Sequence, residues 1–144
     1  MDWIQLEGES MRPCLQSGDW IAVEWVDPIR PLLLRPGDIV LAKNPAAESG
    51  EWLVHRVVRT KSGAPSIKGD ASFAWDELSR KDIWATVVSM RAGTETSPEK
   101  IIRNLWLDRW IAWFSSHTVP PSSFKAKFAR RAVRLCGKLR RALF

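Results

Sequence analysis

Apolar residues between Trp20 and Val88 come in short runs, and Gly or Pro punctuates the gaps at Gly18, Pro28, Pro36, Gly37, Pro45, Gly50, Gly63, Pro65 and Gly69. Four runs rich in Val, Ile and Trp predict strands: Trp20–Val26, Asp38–Ala42, Trp52–Val58 and Ile83–Val88. Strands this short, joined by turns this tight, predict a small, strongly bent antiparallel sheet or barrel over residues 1–91. The polar stretch 92–97 reads as a linker. The period then changes from two toward 3.6. Ser97 is placed to cap a helix, with Pro98 at its first position and Glu99 in its first turn. Ile102, Trp106, Trp110 and Trp113 recur on one face of that helix, predicted over 98–117. The face serves either to pack on the sheet or to form an interfacial aromatic belt. Val119-Pro-Pro121 ends it, and Phe124, Phe128, Ala132, Leu135, Leu139 and Leu143 mark a second amphipathic helix over 122–144. The expected fold class is therefore mainly β, followed by two C-terminal amphipathic helices.

Charge divides the chain where hydropathy does. The 144 residues carry net +6, but residues 122–144 alone hold eight Lys and Arg and no carboxylate, leaving the remainder at −2. A cationic amphipathic helix can lie in an anionic membrane surface, dock on an acidic protein, or fold back on the acidic face of its own domain. Nucleic acid is not expected as a partner, because phosphate contacts leave a Phe/Leu stripe uncovered. Asp2, Glu7 and Glu9 interrupt the opening apolar residues, so no secretory signal is expected. No apolar run reaches the ~18 residues of a membrane span. Two distant cysteines, Cys14 and Cys136, and two histidines suggest neither a disulfide scaffold nor a metal site. No cofactor is expected, and these features imply a cytoplasmic protein able to associate peripherally with a membrane.

The chemistry-bearing blocks are Gly8-Glu-Ser-Met-Arg-Pro13, Gly18-Asp19, Arg35-Pro-Gly-Asp-Ile-Val40, Val54-His-Arg-Val-Val58 and Lys68-Gly-Asp70, with Asp76 six residues further on. A Ser hydroxyl becomes a nucleophile when a base takes its proton, and a His base needs a carboxylate to fix its tautomer. Ser10, His55 and the pair Asp70 and Asp76 are sufficient for acyl transfer. Gly8 and Pro13 are expected to bend the chain so that Ser10 projects from a sheet edge, where an extended peptide can add as a strand. Met11 is expected to line an apolar pocket beside it. Arg56 should point away from His55 and act at the surface or as a loop anchor. Lys43 and Lys68 read as solvated charges rather than alternative bases.

These five blocks, in this order over about residues 3–90, resemble the boxes of type I signal peptidases of the archaeal and endoplasmic-reticulum branch. That resemblance implies a signal-peptidase type of β fold, with Ser10 as nucleophile, His55 as general base in place of the bacterial Lys, and Asp76 as the acidic triad member. Asp70 would shape or support the site, and Gly8, Met11 and Pro13 would border the substrate. Two positions depart from the pattern: Gly8 stands where many relatives carry a hydroxyl that helps bind the oxyanion, and Ala71 stands where an Asn is usual. Relatives of this branch also have a membrane anchor ahead of the Ser box, whereas here the Ser is residue ten of the sequence. That arrangement is similar to small unanchored maturation proteases. The implied function is a serine endopeptidase that removes a leader or propeptide from a protein or peptide precursor. The alternative is a catalytically inactive module of the same fold that docks a peptide, an acidic partner or a membrane surface.

Overall fold

The computed structural model describes residues 1–30, 32–44, 51–61, 64–72, 74–94, 96–101, 106–118 and 124–143. The turn positions Pro45, Gly50 and Gly63, together with Ile102 and the Val119–Pro121 break, lie outside them. Eight strands form one antiparallel sheet: β1 (Asp2–Gln5), β2 (Trp20–Trp25), β3 (Ile39–Lys43), β4 (Trp52–Lys61), β5 (Ala64–Lys68), β6 (Asp76–Glu77), β7 (Ile83–Arg91) and β8 (Lys100–Ile101). Two helices follow, α1 (Trp106–Ser116) and α2 (Phe124–Leu143). Spatial order along the sheet is β1-β2-β7-β3-β4-β5-β6, with β8 beside β7. The described strands thus form an open sheet, with β1 and β6 at its two ends.

Register shifts in the β2–β7, β3–β7 and β4–β5 ladders each insert extra backbone on one side and sharpen the bend. Side-chain alternation then fills two cores, because successive residues of a strand point to opposite faces. Leu41 joins Leu6, Met11, Leu15, Ile21, Val23 and Val87 in one cluster, while its neighbours Val40 and Ala42 join Val57, Ile67 and Ile83 in the other. The four strands expected from the apolar runs are present, and β4 runs three residues further than its hydrophobic pattern indicated.

The start of the first helix departs from expectation. Lys100–Ile101 is a strand paired with Ser89 and Met90, so no helix starts at Pro98. Ser97 does not cap a helix but donates its hydroxyl proton to the Ala92 carbonyl at 2.7 Å. A β-ladder outcompetes the local start signal there, and α1 begins at Trp106 in the described chain. The helix faces choose between the alternatives left open. Leu107, Asp108, Ile111, Ala112 and Ser115 are the buried side of α1, which packs against β4 and α2. Trp106, Trp110 and Trp113 are exposed, so the Trp face does not pack on the sheet. In α2 the buried side is Ala126, Ala129, Val133, Gly137 and Arg140, whereas Phe124, Phe128, Leu135 and Leu139 face outward. No helix among the described residues is long and apolar enough to cross a membrane.

Candidate active site

Ser10 opens a turn whose neighbours are locked. Gly8 adopts φ +96°, a conformation that an L side chain strains to reach, and it redirects the chain after β1. Met11 and Leu15 sink into the core, and the Cys14 and Leu15 N–H groups donate to the Met11 carbonyl at 3.0 and 3.1 Å. Core burial at Met11 therefore holds Ser10 on the surface side of the turn, exposed.

His55 lies in mid β4, opposite Val40 of β3, and is 7% exposed. Its Nε2 is 3.1 Å from Ser10 Oγ, and its Nδ1 is 2.7 Å from Asp76 Oδ2. A carboxylate oxygen only accepts, so Nδ1 carries the imidazole proton and Nε2 is left to accept from the Ser10 hydroxyl. Sheet register explains why the three groups meet. Arg56 and Val57 of β4 pair with Lys68 and Ile67 of β5, and Ile67 pairs with Asp76 of β6. His55, Val57, Ile67 and Asp76 therefore share one face, and Asp76 sits one strand beyond β5 from His55.

Asp70, the other carboxylate expected near the site, is spent elsewhere. Its two oxygens accept from Arg56 Nε and NH2, both at 2.9 Å. Arg56 lies on the face opposite His55, as expected, but it is fully buried rather than at the surface. Its NH1 also donates to the Gly37 carbonyl at 3.0 Å and to Asp108 Oδ1 at 2.6 Å, and that same Asp108 oxygen accepts from Arg140 Nε at 2.7 Å. Among the described residues, two guanidinium groups and two carboxylates thus form a sealed cluster joining β4, the Asp70 loop, α1 and α2. Burial alone would push the Arg56 guanidinium down, but Asp70 and Asp108 beside it hold its pKa well above the ordinary value. Burial pushes the neighbouring Cys14 thiol up, which keeps it an inert core group.

Lys68 is a correction. It is buried, not solvated, and its Nζ donates to the Gly69 carbonyl at 3.3 Å and Ser115 Oγ at 3.2 Å. Desolvation lowers its pKa, against a smaller opposing pull from Asp70. Pairing with Arg56 across β4–β5 puts it on the face away from Ser10 and His55, so it stands apart from them as a base. Lys43 is exposed, as expected.

Pro13 is a second correction. Ile4, Leu6, Gly8, Met11, Leu41 and Val54 line the cleft, of about 710 Å³, that contains Ser10 and His55. Pro13 instead faces α2, where a Cβ at Gly137 would lie 2.7 Å from its Cγ. It lines a separate recess with Arg134 and Lys138. Gly8 and Met11 do border the Ser10 cleft.

Gly69 is a site residue that the motif spacing did not single out. A Cβ there would meet the Ser10 carbonyl at 2.6 Å, Ser10 Cβ at 2.9 Å and His55 Nε2 at 3.0 Å. The next contact is a backbone bond from the Ala71 N–H to the Ser10 carbonyl at 2.7 Å. Asn is thus unnecessary at position 71 for the loop to grip the Ser10 turn, since a main-chain donor does it. Asp19, read as a turn residue, also does more. It accepts from the Gln16 and Gly93 N–H groups and from both terminal nitrogens of Arg141, which ties the end of α2 to the β2 entry.

No family model, no curated protein and no solved structure matches the chain. The geometry of Ser10, His55 and Asp76 is therefore what the structure offers toward function.

Proposed function

We propose that the protein is a serine endopeptidase that cleaves a leader or propeptide from a protein or peptide precursor through an acyl-enzyme. The observation that carries this reading is the relay from Ser10 Oγ to His55 Nε2 at 3.1 Å and from His55 Nδ1 to Asp76 Oδ2 at 2.7 Å. Nucleophile, base and orienting carboxylate stand in the order that acyl transfer needs.

In this reading His55 Nε2 takes the Ser10 proton as Oγ attacks the scissile carbonyl. The imidazolium, steadied by Asp76, then returns the proton to the leaving amine. Water then attacks the acyl carbon as His55 takes its proton, and the imidazolium gives that proton to Ser10 Oγ as the C–Oγ bond breaks and the carboxylic acid product leaves. The developing oxyanion is met by main-chain N–H donors such as that of Ser10, since Gly8 offers no hydroxyl. Substrate lies extended along β1, which ends the sheet path and, among the described residues, pairs with β2 alone, leaving its other side for strand addition. Ile4, Leu6, Met11, Leu41 and Val54 give the cleft an apolar floor suited to small apolar residues before the cleaved bond.

An activated acyl ester tests this without knowledge of the precursor. The folded protein should be acylated at Ser10, and Ser10→Ala and His55→Ala should abolish labelling and stop the processing of a co-expressed candidate precursor. No acylation of folded protein, or undiminished processing by both variants, overturns the assignment and leaves the docking-module reading in its place.

A further inference from the structure

We propose that α1 and α2 together form a docking face for an anionic lipid bilayer. The stripe that the sequence marks as the apolar side of α2 is not the side that packs. Small residues, Ala126, Ala129, Val133 and Gly137, meet the domain and allow close approach, while Phe124 remains 85% exposed, Phe128 63% and Leu135 60%. Ring contacts extend this stripe onto α1. Phe128 meets Phe114 edge-on at 6.4 Å, Phe114 stacks on Trp110 at 5.7 Å, and Trp113 meets Phe114 at 4.9 Å. Trp110 and Trp113 are about half exposed, so one aromatic and aliphatic surface runs across both helices.

Charge decides what covers it. Lys125, Lys127, Arg131, Arg134 and Lys138 are exposed on α2 and make no ion pair among the described residues, whereas Arg140 and Arg141 are engaged with Asp108 and Asp19. At 100° per residue, Lys127, Arg131, Arg134 and Lys138 form a row along one flank of the Phe/Leu stripe. Apolar side chains beside a cationic row, with indoles at the margin, match a headgroup layer over acyl chains. A second copy of this chain would bring two such rows together. Nucleic acid phosphates would satisfy the row and leave the stripe wet. An acidic protein is the remaining rival, but exposed indoles grouped with Phe and Leu favour the bilayer interface.

The test uses the full chain and no peptidase readout, so it stands or falls apart from the function proposed above. Binding is measured by co-sedimentation with vesicles of equal parts phosphatidylglycerol and phosphatidylcholine, with vesicles of phosphatidylcholine alone as control, while indole emission is followed. Binding to the anionic vesicles with a blue shift is expected, weakening as salt is raised. Replacing Arg131, Arg134 and Lys138 together by Gln should weaken it about a hundredfold. Leu135→Gln with Leu139→Gln should weaken it about tenfold with thermal unfolding unchanged, since both side chains already face solvent. Equal binding to neutral vesicles, or unaltered binding by both variants, overturns the proposal. So does failure to bind vesicles in a protein that binds an acidic polypeptide or self-associates through the same residues.

Discussion

His55 and Arg56 are neighbours in β4, yet the two sides of the strand are built on opposite terms. On the His55 side the polar groups form an open line: Ser10 is exposed, and the Asp76 side chain keeps 33% of its surface. On the Arg56 side, Arg56, Asp70, Asp108 and Arg140 are sealed, with every side chain at or below 1%. A reactive hydroxyl has to be reached by substrate and water. A scaffold charge has to be kept from both. The two sides communicate through one short loop, because Asp70 is clamped from behind while Gly69 and Ala71 touch Ser10 from the front.

The largest expected effect separates the sides by rate. If Asp76 orients the imidazole, Asp76→Asn presents the wrong tautomer to Ser10 and should slow its acylation about ten-thousandfold. Stability should stay within about 1 kcal/mol, since the carboxylate is partly solvated and its loss buries no charge. A large loss of stability with acylation intact would reverse the assignment of sides. Gly69→Ala offers a sharper probe of the loop. Its Cβ falls inside contact distance of backbone at Ser10, so it should disturb the Ser10–His55 geometry even though it adds one methyl.

Asp108→Asn should do the converse. Its Oδ1 accepts from both Arg56 and Arg140, and removing its charge takes a carboxylate away from two buried guanidinium groups at once. Breaking such a pair costs about 3–5 kcal/mol, measurable as a shifted urea midpoint. The effect on acylation should be much smaller than that of Asp76→Asn. Equal losses of rate in the two variants would mean that the clamp acts on chemistry as directly as the triad geometry does.

The unequal legibility of the two sides follows from the same contrast. Ser10, His55 and Asp76 lie in compact local blocks, a Gly/Pro turn, a Val-flanked strand and a six-residue loop, and the resemblance those blocks carry, more than their spacing alone, implied that the three meet. Asp108 and Arg140 have no such signature. Asp108 meets Arg56 across 52 residues and Arg140 across 32, and a charge within a helix ordinarily reads as solvent-facing. The packing sides of the helices were hard to read for a related reason. Hydrophobicity ranks Phe and Leu above Ala and Gly, whereas close packing against the Pro13 turn requires the smaller side chain at Gly137. A Gly within the helix, in register with Ala126, Ala129 and Val133, was the available sign of the packing side. Lys68 was missed because strand pairing with Arg56, not its own neighbours, determines that it is covered by α1.

The smallest effect tests how α2 is held at its far end. Asp19 is nearly buried and accepts from Arg141 at 2.6 and 3.1 Å. Burial pulls its pKa up, but the Arg141 hydrogen bonds and the Gln16 and Gly93 N–H groups outweigh that and leave it below its ordinary 3.8. A carboxyl lowered on folding contributes stability above its unfolded pKa and loses it as pH falls through the folded value. Arg141 is itself raised, chiefly by its hydrogen bond to Asp19, so it stays charged throughout. Arg141→Gln should therefore cost about 1–2 kcal/mol near neutral pH. The gap between wild type and variant should close as the medium is acidified below about pH 4, where Asp19 begins to take up a proton. Urea titrations of both proteins across that window measure the gap directly. A difference that persists unchanged in acid would mean that Arg141 holds α2 by packing and not through the Asp19 carboxylate.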